Sequence, residues 1–277
     1  ISEVFNKLDR SLLRTNLDFS YPIFTKLNAH IGWNCFNVKI KPASAYFSHR
    51  DSEIQEQDTL QSLFKNYINW QIIPESDKSG GLVNLFKAGL SFDNRNYESS
   101  PTKGQLLDLI FIYAPGLLQS NGNSFLKLSA SFHKYINLYK DKIIFASRLM
   151  YQSTLFGKTP FYMQSFLFST RVVSSLIEGL GGGKTIRGID RNRVISDGFL
   201  LSNTEIRCNF FEFNFLKQSF SLEIKPFLDA GISTKLIEYD NTLVPDNPYI
   251  IPDAKDQIHA AAGSGFHIIM NKNINVS

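Results

Sequence analysis

The stretch LKLSASFH at 126–133 decides the fold. Leu126, Leu128, Ala130 and Phe132 alternate with Lys127, Ser129, Ser131 and His133. A period of two puts the apolar set on one face of a strand and the polar set on the other. A helix would need its apolar residues three and four apart.

The same rhythm runs outward in both directions. Upstream, Leu107, Leu109, Phe111 and Tyr113 share a face, as do Phe86, Ala88, Leu90 and Phe92, and Leu13, Thr15, Leu17, Phe19 and Tyr21. Downstream, Ile143, Phe145, Leu149 and Tyr151 oppose Arg148 and Gln152. Thr204, Ile206, Cys208 and Phe210 oppose Asn203, Glu205 and Arg207. Leu222, Ile224, Pro226 and Leu228 oppose Ser221, Glu223, Lys225 and Asp229. Ala260, Ala262, Phe266, Ile268 and Met270 oppose His259, Gly263, Gly265 and His267. In a further segment near 29–39, Ile31 and Trp33 keep one phase while Phe36, Val38 and Ile40 take the other, which predicts a bulge. A weaker strand is predicted around 64–73.

These segments run about nine to thirteen residues, longer than soluble strands and close to what crosses a bilayer at a tilt. Their polar faces carry charges, and short links (NLYKDK, NFLKQ) alternate with long loops at 41–64, 154–197 and 232–256. A soluble β-sandwich also alternates, but strand length, charged inner faces and unequal loops together favour an all-β, transmembrane antiparallel β-barrel. The 277 residues contain 24 Phe and 11 Tyr, a mix that suits strands. No run of eighteen apolar residues predicts a membrane helix. Net charge is only +4, so no nucleic-acid partner is expected. Cys35 and Cys208 are too few for a disulfide framework or a zinc site and fall on apolar-facing positions.

The glycine-rich stretch LGGGKTIRGIDRNR at 180–193 invites a nucleotide-binding reading. Spacing removes it: a phosphate loop needs glycine where Glu178 stands, and a dinucleotide motif starting at Gly179 needs glycine where Lys184 stands. Gly263-Ser264-Gly265 lacks the glycine of a nucleophile elbow, because Ala262 stands there. None of His30, His49, His133, His259 and His267 has metal-ligand spacing to a second ligand. No catalytic set, metal or cofactor is therefore expected, and the loop is read as folded back into the barrel lumen. Glu205, Phe227 and Asp229 fall on inward faces by strand parity.

Five stretches in order resemble the barrel domain of the BamA/TamA superfamily of outer-membrane proteins. FDNRNYESSPTKG at 92–104 resembles the family's aromatic-Asp-x-Arg strand–turn signature. PFY at 160–162 and then Ile186-Arg187-Gly188-Ile189 resemble its lumen loop, although the family's aromatic after the Arg-Gly pair is Ile189 here. NTEIR at 203–207 and PFLDAG at 226–231 resemble the two strands that follow. GSGFHIIMNKNINV at 263–276 resembles the region before closure. The resemblance covers 80–277 well and 1–80 loosely.

The resemblance implies a motif loop built on Gly181, Gly182, Gly183, Ile186, Arg187 and Gly188. In it Arg187 would meet Glu205 and Asp229, with Phe227 as its cation–π face. Read without the resemblance, Arg187 is a solvated loop cation. The resemblance further implies a sixteen-strand barrel with the motif loop between the eleventh and twelfth strands. About ten strands would be present here, starting near the fifth, with the domain at 1–277 incomplete at both ends and no POTRA domain. It implies the outer membrane of a Gram-negative bacterium, outer-membrane lipids and nascent outer-membrane proteins as partners, and possible periplasmic or lipoprotein accessory subunits. The implied function is non-enzymatic assembly and insertion of β-barrel proteins; a translocating pore or an anchor for a fused enzyme is the alternative.

Overall fold

The computed structural model describes residues 8–42, 63–170, 177–243, 256–271 and 274–276. Most of the expected loop at 41–64, parts of those at 154–197 and 232–256, and His49 lie outside these residues. Among the described residues, ten strands form one antiparallel sheet. In chain order they are β1 (Leu8–Phe24), β2 (Leu27–Pro42), β3 (Gly80–Asp93), β4 (Gly104–Ala114), β5 (Phe125–Tyr139) and β6 (Ile143–Gly157). A short pair, β7 (Phe166–Leu167) with β8 (Ile177–Glu178), interrupts them. The sheet resumes with β9 (Gly198–Phe215), β10 (Gln218–Lys235), β11 (His259–Met270) and β12 (Ile274–Val276). Each strand pairs with its sequence neighbour in the sheet, β6 pairs with β9, and β1 and β12 are the two edges, so the sheet is open. No helix among the described residues is long and apolar enough to cross a membrane.

Alternation sorts the side chains as charge and size require. On β4 and β5, Leu107, Leu109, Phe111, Tyr113 and Phe132 are exposed outward, while Asp108, Lys127, Ser129 and Ser131 are buried on the inner face. That is inside-out for a water-soluble domain but suits a lipid-facing exterior and a polar interior. The tight hairpins β5–β6 and β9–β10 turn through Lys140-Asp141 and Leu216-Lys217, all four at positive φ, the backbone that matches strand twist across a two-residue turn.

Two sequence expectations are corrected. The one register shift between β1 and β2 lies by their hairpin, between Pro22 and Phe24; beyond it β2 pairs regularly with both β1 and β3, so there is no bulge where Phe36, Val38 and Ile40 change phase. Those three point inward and are 1%, 1% and 5% exposed. They change face-chemistry rather than face because the inner wall here is apolar. The predicted strand at 64–73 is instead a helix, α1 (Leu63–Asn69). Phe64, Tyr67 and Ile68, three and four apart, lie on its packed side. Among the described residues six strands of the large sheet, not seven, therefore precede the motif loop.

Both corrections have one cause. An apolar cluster occupies the inner face towards the long-loop end. It joins Phe36, Val38 and Ile40 to Phe64, Val83, Leu85, Ile110, Ile112, Phe125, Met163 and Phe166. Phe36 stacks on Phe166 at 5.5 Å between ring centroids. The one-turn helix α2 (Phe161–Gln164) and β7 supply the centre of this plug.

Candidate functional site

The loop between β8 and β9 is folded against the inner wall and tied to it from several directions. A backbone bridge joins Leu180 to Val194 in both directions, 3.0 and 3.1 Å, which closes the loop on itself. Within it, Thr185 Oγ1 accepts from the Gly181 amide at 2.8 Å and donates to the Gly181 carbonyl at 2.7 Å. Gly181 and Gly182 have φ of +118° and +87°, and Gly188 +85°, so each uses a backbone that side-chain-bearing residues avoid. Gly183 is different: its φ is not positive and a Cβ would meet open space, so only two of the three consecutive glycines are required by the turn.

Arg187 is where the loop meets the wall. Its Nε and Nη2 donate to the two oxygens of Asp229, both at 2.8 Å, and its own backbone N–H donates to Asp229 Oδ2 at 3.0 Å. Nη1 donates to Glu205 Oε2 at 3.0 Å. The guanidinium carbon lies 3.8 Å from the centre of the Phe227 ring. Asp229 is fully buried while the Arg187 side chain is 28% exposed. A forked cation across a buried carboxylate, with an aromatic face beneath it, satisfies charge, hydrogen bonds and packing together. The hydrogen bonds to Asp229 raise the Arg187 pKa above its ordinary value, against the opposing effect of burial.

Strand register explains why these residues converge. Glu205 on β9 pairs with Phe227 on β10, and Asp229 lies two residues further along the same face. Phe227 pairs on its other side with Gly263 of β11. A Cβ at Gly263 would sit 2.7 Å from Phe227 Cζ, so the ring lies flat across that glycine. Gly231 likewise makes room for Ile186 and Leu180, whose terminal carbons would lie 2.9 and 3.1 Å from a Cβ there. Ile186 and Leu180 are fully buried with Met150, Leu167, Phe199 and Leu201 in a second apolar cluster, and Ile189 packs against it. Ile189, where the family pattern has an aromatic, thus has a packing role.

Several participants were not singled out from the sequence. Arg207 Nε donates to the other Glu205 oxygen at 2.8 Å, so Glu205 bridges two arginines. Arg148 donates to Asn203 at 2.9 Å and to the Lys184 carbonyl at 2.6 Å, and Asn203 donates to the Thr185 carbonyl at 2.6 Å. Their inward parity was legible; their reach to a loop 36 residues away in the chain was not. The 92–104 signature serves the turn itself. Asp93 and Arg95 form a two-bond ion pair at 2.7–2.9 Å, which raises the Arg95 pKa, and Asn94 and Asn96 cap the amides of Gln105, Thr102 and Lys103. Pro101 of the same turn presents its carbonyl to Arg207 at 3.5 Å. Among the described residues no cluster of His, Cys, Asp and Glu could hold a metal ion.

The sequence matches the Omp85 superfamily domain over residues 2–270. The chain belongs to the Omp85 superfamily. Among solved structures, this Omp85 domain resembles BamA from Haemophilus ducreyi lacking POTRA domains 1–3. The TM-score is 0.60 and the sequence identity 14%, over 94% of this chain and 48% of that one. At that identity the likeness is one of fold, and the chain spans about half the length of that structure. No curated protein matches the sequence.

Proposed function

We propose that this Omp85 protein assembles and inserts β-barrel proteins in the outer membrane of a Gram-negative bacterium by a non-enzymatic mechanism. The observation that carries the reading is the arginine latch: Arg187 held by Asp229, Glu205 and Phe227 in a barrel of this superfamily. The latch ties the loop to β9 and β10 at once, so that stretch of wall keeps one shape while the membrane around it is deformed. Nascent outer-membrane proteins are the substrates in this reading, outer-membrane lipids the surroundings, and periplasmic or lipoprotein subunits the accessory partners. A translocating pore of the same superfamily is the second reading. The filled inner face weighs against it, since two apolar clusters and the folded loop occupy the space a pore would need.

The test uses vesicles carrying the full-length protein, offered either an unfolded barrel protein or an unfolded soluble protein. Protease-resistant insertion of the barrel substrate, reduced at least severalfold by Arg187→Ala, supports assembly. Passage of the soluble protein into the lumen without barrel insertion overturns it.

A further inference from the structure

The β9–β10 hairpin projects beyond its neighbour. The last β6–β9 pair is Ile143 with Cys208, and the Asn209 N–H donates to the Lys142 carbonyl of the β5–β6 turn at 2.8 Å, so residues 210–215 of β9 run on past that hairpin. At about 3.3 Å per residue those six residues reach roughly 20 Å along the strand, or about 15 Å down the barrel axis at a tilt of ~40°.

The projecting part is amphipathic. A register shift between Leu222 and Glu223 leaves Phe210 as the extra residue, so both Phe210 and Phe211 keep to the outer face. From there Phe213 and Phe215 continue outward, with Phe220 on the returning strand. Phe213 stacks on Phe220 at 5.2 Å, Phe211 lies 5.8 Å from Phe213, and Phe210 meets Phe266 of β11 at 6.0 Å. Phe210, Phe211 and Phe215 are 58%, 54% and 59% exposed, and Leu216 at the tip 78%. The opposite face carries Asn209, Glu212 and Asn214.

We propose that this hairpin tip is a lipid-binding wedge that seats its phenylalanine face in the phospholipid leaflet on the short-turn side. The aromatic patch is continuous with the outward apolar face formed by Ile206, Ile224, Leu228 and Ile268, which is the face an Omp85 barrel turns to lipid. Lys217 at the tip, and Lys140 and Lys142 at the neighbouring turn, are exposed where phosphate headgroups would lie. The wedge carries the apolar belt deeper beside β9 than beside β5 and β6, so the bilayer there must thicken or tilt.

The inference rests on the membrane-barrel reading, and the test separates the two. Full-length protein in phosphatidylcholine–phosphatidylglycerol vesicles carries one added tryptophan at a time: Phe213→Trp in the wedge, Leu149→Trp at mid-strand on the outer face, or Asn214→Trp on the polar face. The signal of the unsubstituted protein, Trp33 and Trp70 included, is subtracted. The wedge requires Phe213→Trp emission to be blue-shifted and quenched about twofold or more by acyl-brominated lipid, as Leu149→Trp is, while Asn214→Trp responds to aqueous iodide. Quenching of Phe213→Trp by iodide alone overturns the wedge. A blue-shifted Phe213→Trp that neither quencher reaches also overturns it, because a polypeptide paired on the free β9 edge then covers the patch. If Leu149→Trp too escapes the brominated lipid, the membrane reading itself fails and takes the wedge with it.

Discussion

At the residue scale the latch follows from one imbalance: Asp229 has no access to water, and Arg187 is the cation that forks across it. Removing one partner of a buried ion pair leaves the other uncompensated, at a cost of about 3–5 kcal/mol. Arg187→Ala and Asp229→Ala should therefore each release the loop, seen as rapid trypsin cleavage after Lys184, Arg191 or Arg193. Unchanged protease resistance in both variants would exclude a holding role. Arg187→Lys should fail to restore protection, because an ammonium cannot bridge both Asp229 oxygens and Glu205 together. Gly263→Ala tests the aromatic floor: its methyl would displace Phe227 and should weaken the latch by about 1 kcal/mol, read as faster amide exchange in the loop. Arg187, Glu205, Phe227 and Asp229 could be placed on inner faces or in the loop by parity and pattern alone. Arg207, Arg148 and Gly263 could not be given roles that way, because a role depends on which strand lies alongside.

At the element scale, the inner face is partitioned along the strands. Near the short turns it is polar and charged; near the long loops Phe36, Val38, Ile40, Val83, Leu85, Ile110 and Ile112 form an apolar stretch covered by α1, α2 and β7, beside the buried polar groups Lys127, Gln152 and Thr154. The phase change at Phe36, Val38 and Ile40 is the sequence trace of that boundary, and a bulge was the wrong inference from it. Period-two reasoning assumes a uniform interior, so an apolar inner stretch looks like a switched face. The same plug makes 63–69 a helix, since it needs a single covering stripe and not another wall strand. Phe166 is fully buried and stacks on Phe36, which in turn meets Phe168 edge-on. Phe166→Ala should cost on the order of 3 kcal/mol, seen as a lower temperature for loss of the folded band in detergent. An unchanged transition would mean the plug does not support the sheet.

At the scale of the whole molecule, the full-length protein should be heat-modifiable. Unboiled in detergent it should migrate differently from the boiled chain, and identical migration would argue for a soluble sandwich instead. What the sequence determined by itself was local and periodic. Alternation set the strands and their two faces, residue chemistry set which face meets lipid, and the turn residues set which strands are neighbours. The tertiary structure decided what the inner face is filled with, how far the β9–β10 hairpin extends past β6, and which side chains close around Arg187. Those depend on register between strands and on packing across the lumen. A pattern of period two places a residue on a face without saying what stands opposite it, so contacts between residues far apart in the chain emerge only when the wall is built.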